Sequence, residues 1–86
     1  MIRRDEVETL VIAVVADTFS VAPADIGQAT TAADVDGWDS LSHTVLMVRL
    51  QKRLGISISE RIAARAQTVG ELVESIRGQI PPDTAP

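Results

Sequence analysis

The chain contains no cysteine, which excludes a disulfide framework and any thiolate metal centre. It has a single histidine, His43, and one imidazole cannot assemble a zinc site alone. No metal site is therefore expected. Aromatic residues are nearly missing too: one Trp, one Phe and no Tyr. The core must then come from Val, Ile, Leu and Ala, which suits thin helices packed closely together. No apolar run approaches the ~20 residues of a membrane span, so no membrane is expected as a partner. A signal peptide is not expected either, because Asp5, Glu6 and Glu8 interrupt any apolar stretch after Met1-Ile2-Arg3-Arg4. A cytoplasmic protein is the reading. Excess positive charge is also lacking: the net charge of −4 argues against nucleic acid as a partner.

What the chain does have is 45% apolar residues within 86, enough for one folded domain. A domain this short buries about 60–65% of its unfolded surface, which leaves little room for a deep catalytic cleft. Its charge is segregated. Residues 1–39 hold eight acids against Arg3 and Arg4, whereas residues 40–65 hold Arg49, Lys52, Arg53, Arg61 and Arg65 against Glu60 alone. Solvated helix surfaces are the bland account of this, and a charged docking face is the sharper one.

Apolar residues at Val7, Leu10, Val11, Val14, Val15 and Phe19 predict an amphipathic helix over Arg3–Phe19. Pro23, in the run Ser20-Val21-Ala22-Pro23, is expected to end it. Residues 20–39 then form a long connection that Ile26 and Val35 can pin to the core, with a short turn at Pro23-Ala24-Asp25-Ile26. A second helix is expected from Asp39-Ser40 to Leu54, capped by Asp39 and stopped by a left-handed Gly55. Its inward face reads as His43, Leu46, Met47, Leu50 and Leu54, beside a second row of Leu41, Thr44, Val45 and Val48. Ile56-Ser57-Ile58-Ser59 reads as an extended link, and Ser59 as the cap of a short helix over 60–66. Thr68-Val69-Gly70-Glu71 matches a capping box, and Val69, Leu72, Val73 and Ile76 stripe the last helix. The expected fold is all-α, a small four-helix bundle of three main helices and one short one. Residues 1–80 form the domain, and residues 81–86 a flexible proline-rich tail.

The segment Asp36-Gly37-Trp38-Asp39-Ser40-Leu41 places a serine at a helix start, directly after a glycine-containing loop. Its hydroxyl would face solvent near the positive end of the helix dipole, a favourable place for an attached phosphate. On spacing alone, Ser40 is also an ordinary helix N-terminal serine. His43 lies one turn further on, but a Ser–His nucleophile needs an orienting group and an oxyanion hole, and neither is evident. Asp34, Asp36 and Asp39 lack the Gly and terminal Glu of a calcium-binding loop and read as solvated loop and cap residues.

Taken together, these residues resemble the acyl/peptidyl carrier protein family, whose hallmark is Asp-Ser-Leu at the start of the second helix. The likeness rests on Gly37-Trp38-Asp39-Ser40-Leu41, on Gly55-Ile56, on Thr68-Val69-Gly70-Glu71-Leu72 and on the amphipathic first helix. It covers residues 3–78. The resemblance implies a carrier that is not an enzyme, with 4'-phosphopantetheine attached covalently to Ser40. Asp39 would shape the modification site, and Leu41 would offer partners an apolar contact. The implied partners are a phosphopantetheinyl transferase and the loading, condensing or modifying enzymes of a pathway. Cargo would ride as a thioester, acyl, glyceryl or aminoacyl, at high effective concentration beside each active site. A monomer suits such a shuttle.

Two features depart from many fatty-acid carriers. After Ser40 there is no acid before Glu60, and the helix carries Arg49, Lys52 and Arg53. Trp38 stands where a smaller residue is common. Both point to a discrete carrier of polyketide, nonribosomal peptide or related biosynthesis. Trp38, Leu41, Val45, Val48, Arg49 and Lys52 are its candidate docking residues, with Trp38 also read as packing the loop onto the bundle. The alternative is a non-catalytic helical adaptor that binds one partner through the same helix. A DNA-binding helix-turn-helix is the weaker rival.

Overall fold

The apolar stripe of the first segment decides what it covers. The computed structural model describes residues 4–80, apart from the side chains of Arg4, Glu60 and Ile62. A 3-10 turn at Arg4–Glu6 leads into helix α1, Val7–Phe19, which buries Val7, Val11, Val14, Val15 and Ala16. The regular helix thus starts later than the periodicity predicts, because its first turn is wound more tightly. Its end also differs in cause. Ser20 adopts the left-handed conformation (φ 57°), and the Val21 N–H reaches back to Ala16 O at 3.0 Å. That is a Schellman-type stop built on serine. Pro23 instead opens the 3-10 turn Pro23–Asp25, where its fixed φ and missing N–H do no harm.

The connection from 20 to 39 is long but fastened. Ile26 and Val35 are both buried, as expected, and a second 3-10 turn at Ala32–Asp34 is closed by a capping box between Thr31 and Asp34. A further fastening was not foreseen. The first turn of the last helix donates Val69 N–H to Thr30 O (2.8 Å) and Gly70 N–H to Gln28 O (2.9 Å). These loop carbonyls satisfy two donors that a helix start leaves open. A Cβ at position 70 would stand 2.9 Å from Gln28 O, so the close approach requires glycine.

Helix α2, Ser40–Leu54, ends at a left-handed Gly55 as expected. It buries Leu46, Met47, Leu50 and Leu54 and packs on α1. Burying side chains of this size contributes about 1.5–3 kcal/mol each. His43 departs from the predicted inward face: it stays half-buried at the rim, where its imidazole finds a polar partner described below. Residues 56–59 form an extended link, and no strand occurs among the described residues. Two glutamines stand in for the missing strand partner. Gln51 Oε1 accepts from Ile58 N–H (3.0 Å), and Gln79 Oε1 from Ser59 N–H (2.6 Å).

Helix α3 covers only Glu60–Ala63, shorter than the predicted 60–66, because a turn from Ala66 N–H to Ala63 O breaks the α pattern. Helix α4, Val69–Arg77, buries Val69, Leu72, Val73 and Ile76 against α1, as its stripe predicts. Thr68 Oγ1 accepts from Glu71 N–H (3.1 Å), and its hydroxyl donates to the Glu71 carboxylate (3.3 Å). The return contact of this cap thus runs between the two side chains. Among the described residues the fold is an all-α bundle of three longer helices and one short one. No helix among the described residues is long and apolar enough to cross a membrane. The predicted start at Arg3 and the tail at 81–86 lie outside the described residues.

Candidate functional site

Ser40 is the first residue of α2 and is exposed. Its hydroxyl has no hydrogen-bond partner among the described residues, so no base draws on its proton. The local sequence explains this placement. Asp39 is extended and caps the helix, its Oδ1 accepting from Ser42 N–H at 2.9 Å. Ser42 returns the bond: its Oγ accepts from Asp39 N–H (2.7 Å) and donates to Gly37 O (2.6 Å). The loop and the first helical turn are thereby locked around Ser40, which itself stays free. Gly37 has φ 89°, a conformation costly for residues with a Cβ, and it lets the chain turn sharply into Trp38.

Those bonds set the charge of the cap. Hydrogen bonds from the Ser42 backbone, then from its side chain, hold the Asp39 carboxyl below the usual carboxylate range. Asp34 is lowered in the same way by Thr31. Asp34 and Asp39 are therefore explained as caps, and Asp36 is an exposed loop residue. Among the described residues no group of three or more His, Cys, Asp or Glu gathers that could hold a metal ion.

Trp38 packs the loop onto the bundle. Its ring lies 5.2 Å from that of Phe19, nearly parallel, and its Nε1–H donates to His43 Nδ1 at 3.2 Å. The Trp38 and His43 planes differ by 17°, which suits an in-plane N–H···N bond. His43 Nδ1 is thus an acceptor, and the imidazole is committed to the loop rather than to Ser40. A small recess of about 50 Å³ is lined by this pair together with Thr30, Ala32, Ala66, Gln67, Thr68 and Leu72.

The remaining sequence candidates divide. Leu41 is 78% exposed, Val45 46% and Val48 45%, an apolar row turned to solvent beside the Ser40 end of α2. Lys52 and Arg49 are exposed on the same helix, and Arg49 reaches Asp17 Oδ2 of α1 at 3.4 Å. Trp38 is half-buried and does not lie in the open row. Ser42 was missed, although the spacing Asp39-x-x-Ser42 is that of a capping box with serine at its third helical position.

A family model described as "Phosphopantetheine attachment site" matches residues 9–76, most of the chain. The chain belongs to the phosphopantetheine-binding carrier proteins. Curated relatives agree. An "Acyl carrier protein" of Chlamydia muridarum (strain MoPn / Nigg) is 30% identical over 65 residues, covering 76% of this chain and 84% of the relative. An "Acyl carrier protein" of Amoebophilus asiaticus (strain 5a2) is 29% identical over 75 residues, covering 87% and 94%. Membership makes this an acyl carrier with a covalent 4'-phosphopantetheine group, and a carrier is not a catalyst. The site fits such a group: an unencumbered hydroxyl at a helix N-terminus, where the dipole favours a phosphodiester.

Proposed function

We propose that Ser40 carries the phosphopantetheine arm, and that this carrier serves a polyketide, nonribosomal peptide or related specialised pathway. One observation carries the first part: Ser40 is exposed at a capped helix start and its hydroxyl has no partner among the described residues, while the imidazole of His43 is occupied by Trp38. A hydroxyl without a base is a poor nucleophile and a good attachment point, since the transferase supplies the activation. Ser40 Oγ attacks the phosphorus of coenzyme A that bears the pantetheine arm, the pyrophosphate P–O bond breaks and adenosine 3',5'-bisphosphate leaves, and the transferase takes the hydroxyl proton, so that a phosphodiester results. Cargo then rides as a thioester on the arm's terminal thiol, acyl, glyceryl or aminoacyl, and passes between enzymes of a cytoplasmic pathway. Asp39 and Ser42 hold the loop in the form the transferase meets. Leu41, Val45, Val48, Arg49 and Lys52 form the docking face, with Trp38 supporting it from behind.

The pathway reading rests on a second observation, the absence of any acid between Ser40 and Ser59. The protein isolated from producing cells should carry a single kind of cargo that hydroxylamine releases. An intact-mass profile showing a ladder of saturated chains, each longer by two carbons, would contradict a specialised role.

A further inference from the structure

The exposed face of α2 has an order along its length. Leu41, Val45, Val48 and Lys52 fall within about 60° of one another at ~100° per residue, so they form one straight row. The row starts beside Ser40 and reaches Lys52 about 18 Å further on, at 1.5 Å per residue. Loop acids Asp36 and Asp39 are exposed at its first end. Lys52 and Arg53 are exposed at its other end, and neither has an ion-pair partner among the described residues. Alongside the row, two shallow grooves run between α1 and α2 and share Arg49, one starting at Asp39 and Leu41, the other ending at Lys52 and Arg53.

Complementing the helix dipole would account for cations in the last turn. It does not account for three large apolar side chains left 45–78% exposed in the same row, in a chain whose core is already complete. Exposed apolar surface of this kind marks a contact site, and charge order fixes how a partner lies on it. Building on the carrier reading above, we propose that this face docks an enzyme surface with an apolar centre and carboxylates at the end meeting Lys52 and Arg53. The acids beside Ser40 then disfavour further carboxylates where the arm enters. A partner laid the other way round puts carboxylate against Asp36 and Asp39. Docking is weak and quickly reversed, as a shuttle needs, because a few apolar side chains and exposed charges bury little. The net charge of −4 speaks against an anionic membrane as the occupant.

The test uses the whole chain, labelled with nitrogen-15, and two synthetic amphipathic helical peptides with identical leucine faces. One peptide is flanked by glutamates and the other by lysines. The glutamate peptide should shift the amides of residues 41–53 with about fivefold higher affinity than the lysine peptide at low salt. The preference should vanish in 0.5 M salt and reverse in Lys52→Glu/Arg53→Glu, whose fold is checked by its own spectrum. Equal binding, tighter lysine-peptide binding, shifts centred elsewhere, or no binding by either peptide would overturn the proposal. So would shifts over 41–53 with phosphatidylglycerol vesicles in place of any peptide preference. Loading of the wild-type chain with phosphopantetheine is scored separately. A chain that loads but shows no preference refutes the docking order alone, and one that does not load refutes the carrier reading.

Discussion

Helix α2 carries two apolar rows that meet opposite fates. Leu46, Met47, Leu50 and Leu54 are no more than 4% exposed, while Leu41, Val45 and Val48 keep 45–78% of their surface in water. Their residue types are nearly the same, so hydrophobicity alone does not explain the difference. What separates them is the neighbour: the first row meets α1 and the core, and the second lies open to solvent over much of its surface among the described residues. The first row therefore serves stability and the second serves encounter. Mutations should divide along the same line.

The largest loss should follow Leu50→Ala, which removes a fully buried side chain and leaves a cavity, costing about 2–5 kcal/mol in urea unfolding. Gly70→Ala should come next. It forces a methyl group against Gln28 O and parts the loop from α4, for about 1–3 kcal/mol. Leu41→Ala should move stability by less than about 0.5 kcal/mol, yet slow phosphopantetheine loading about fivefold if its contact is worth ~1 kcal/mol in the transition state. A Leu41→Ala variant that melts early but loads normally would erase the distinction between the rows.

The smallest effect is electrostatic. The Asp39 carboxyl is lowered by its bonds from Ser42, so the stability it contributes is present above its unfolded value near ~3.9. It is lost as pH falls through the lower folded value. Asp39→Asn keeps an oxygen for the cap but cannot titrate. Its stability should decline less steeply than wild type below pH ~4, with a residual slope from Asp34, which is lowered by Thr31. Identical slopes would show that the cap is not coupled to ionisation.

Much of this was legible in the sequence because it rests on local periodicity and local caps. The stripes of α1, α2 and α4, the Asp39 and Gly55 caps and the pins Ile26 and Val35 all follow from spacing within a few residues. What escaped depends on side chains that meet across turns and between elements. Gln51 and Gln79 closing the 56–59 link, Gly70 yielding to Gln28, and His43 turning to Trp38 are choices made only once the helices have packed. Ser20 ending α1 was obscured for another reason. Pro23 is the louder signal, and serine is an uncommon choice at a left-handed position. Ser42 is the instructive miss at the site: its neighbour Ser40 drew the chemistry, while Ser42 holds the loop that presents it.

The central claim is that the unpartnered hydroxyl of Ser40 is where the arm is attached. Intact-protein mass spectrometry after incubation with coenzyme A and a broad-specificity transferase tests it directly. The wild-type chain should gain one phosphopantetheine mass, and Ser40→Ala, confirmed as helical by circular dichroism, should gain none. A wild-type chain left unmodified while a control carrier loads, or a Ser40→Ala chain that still gains the mass, would contradict the account.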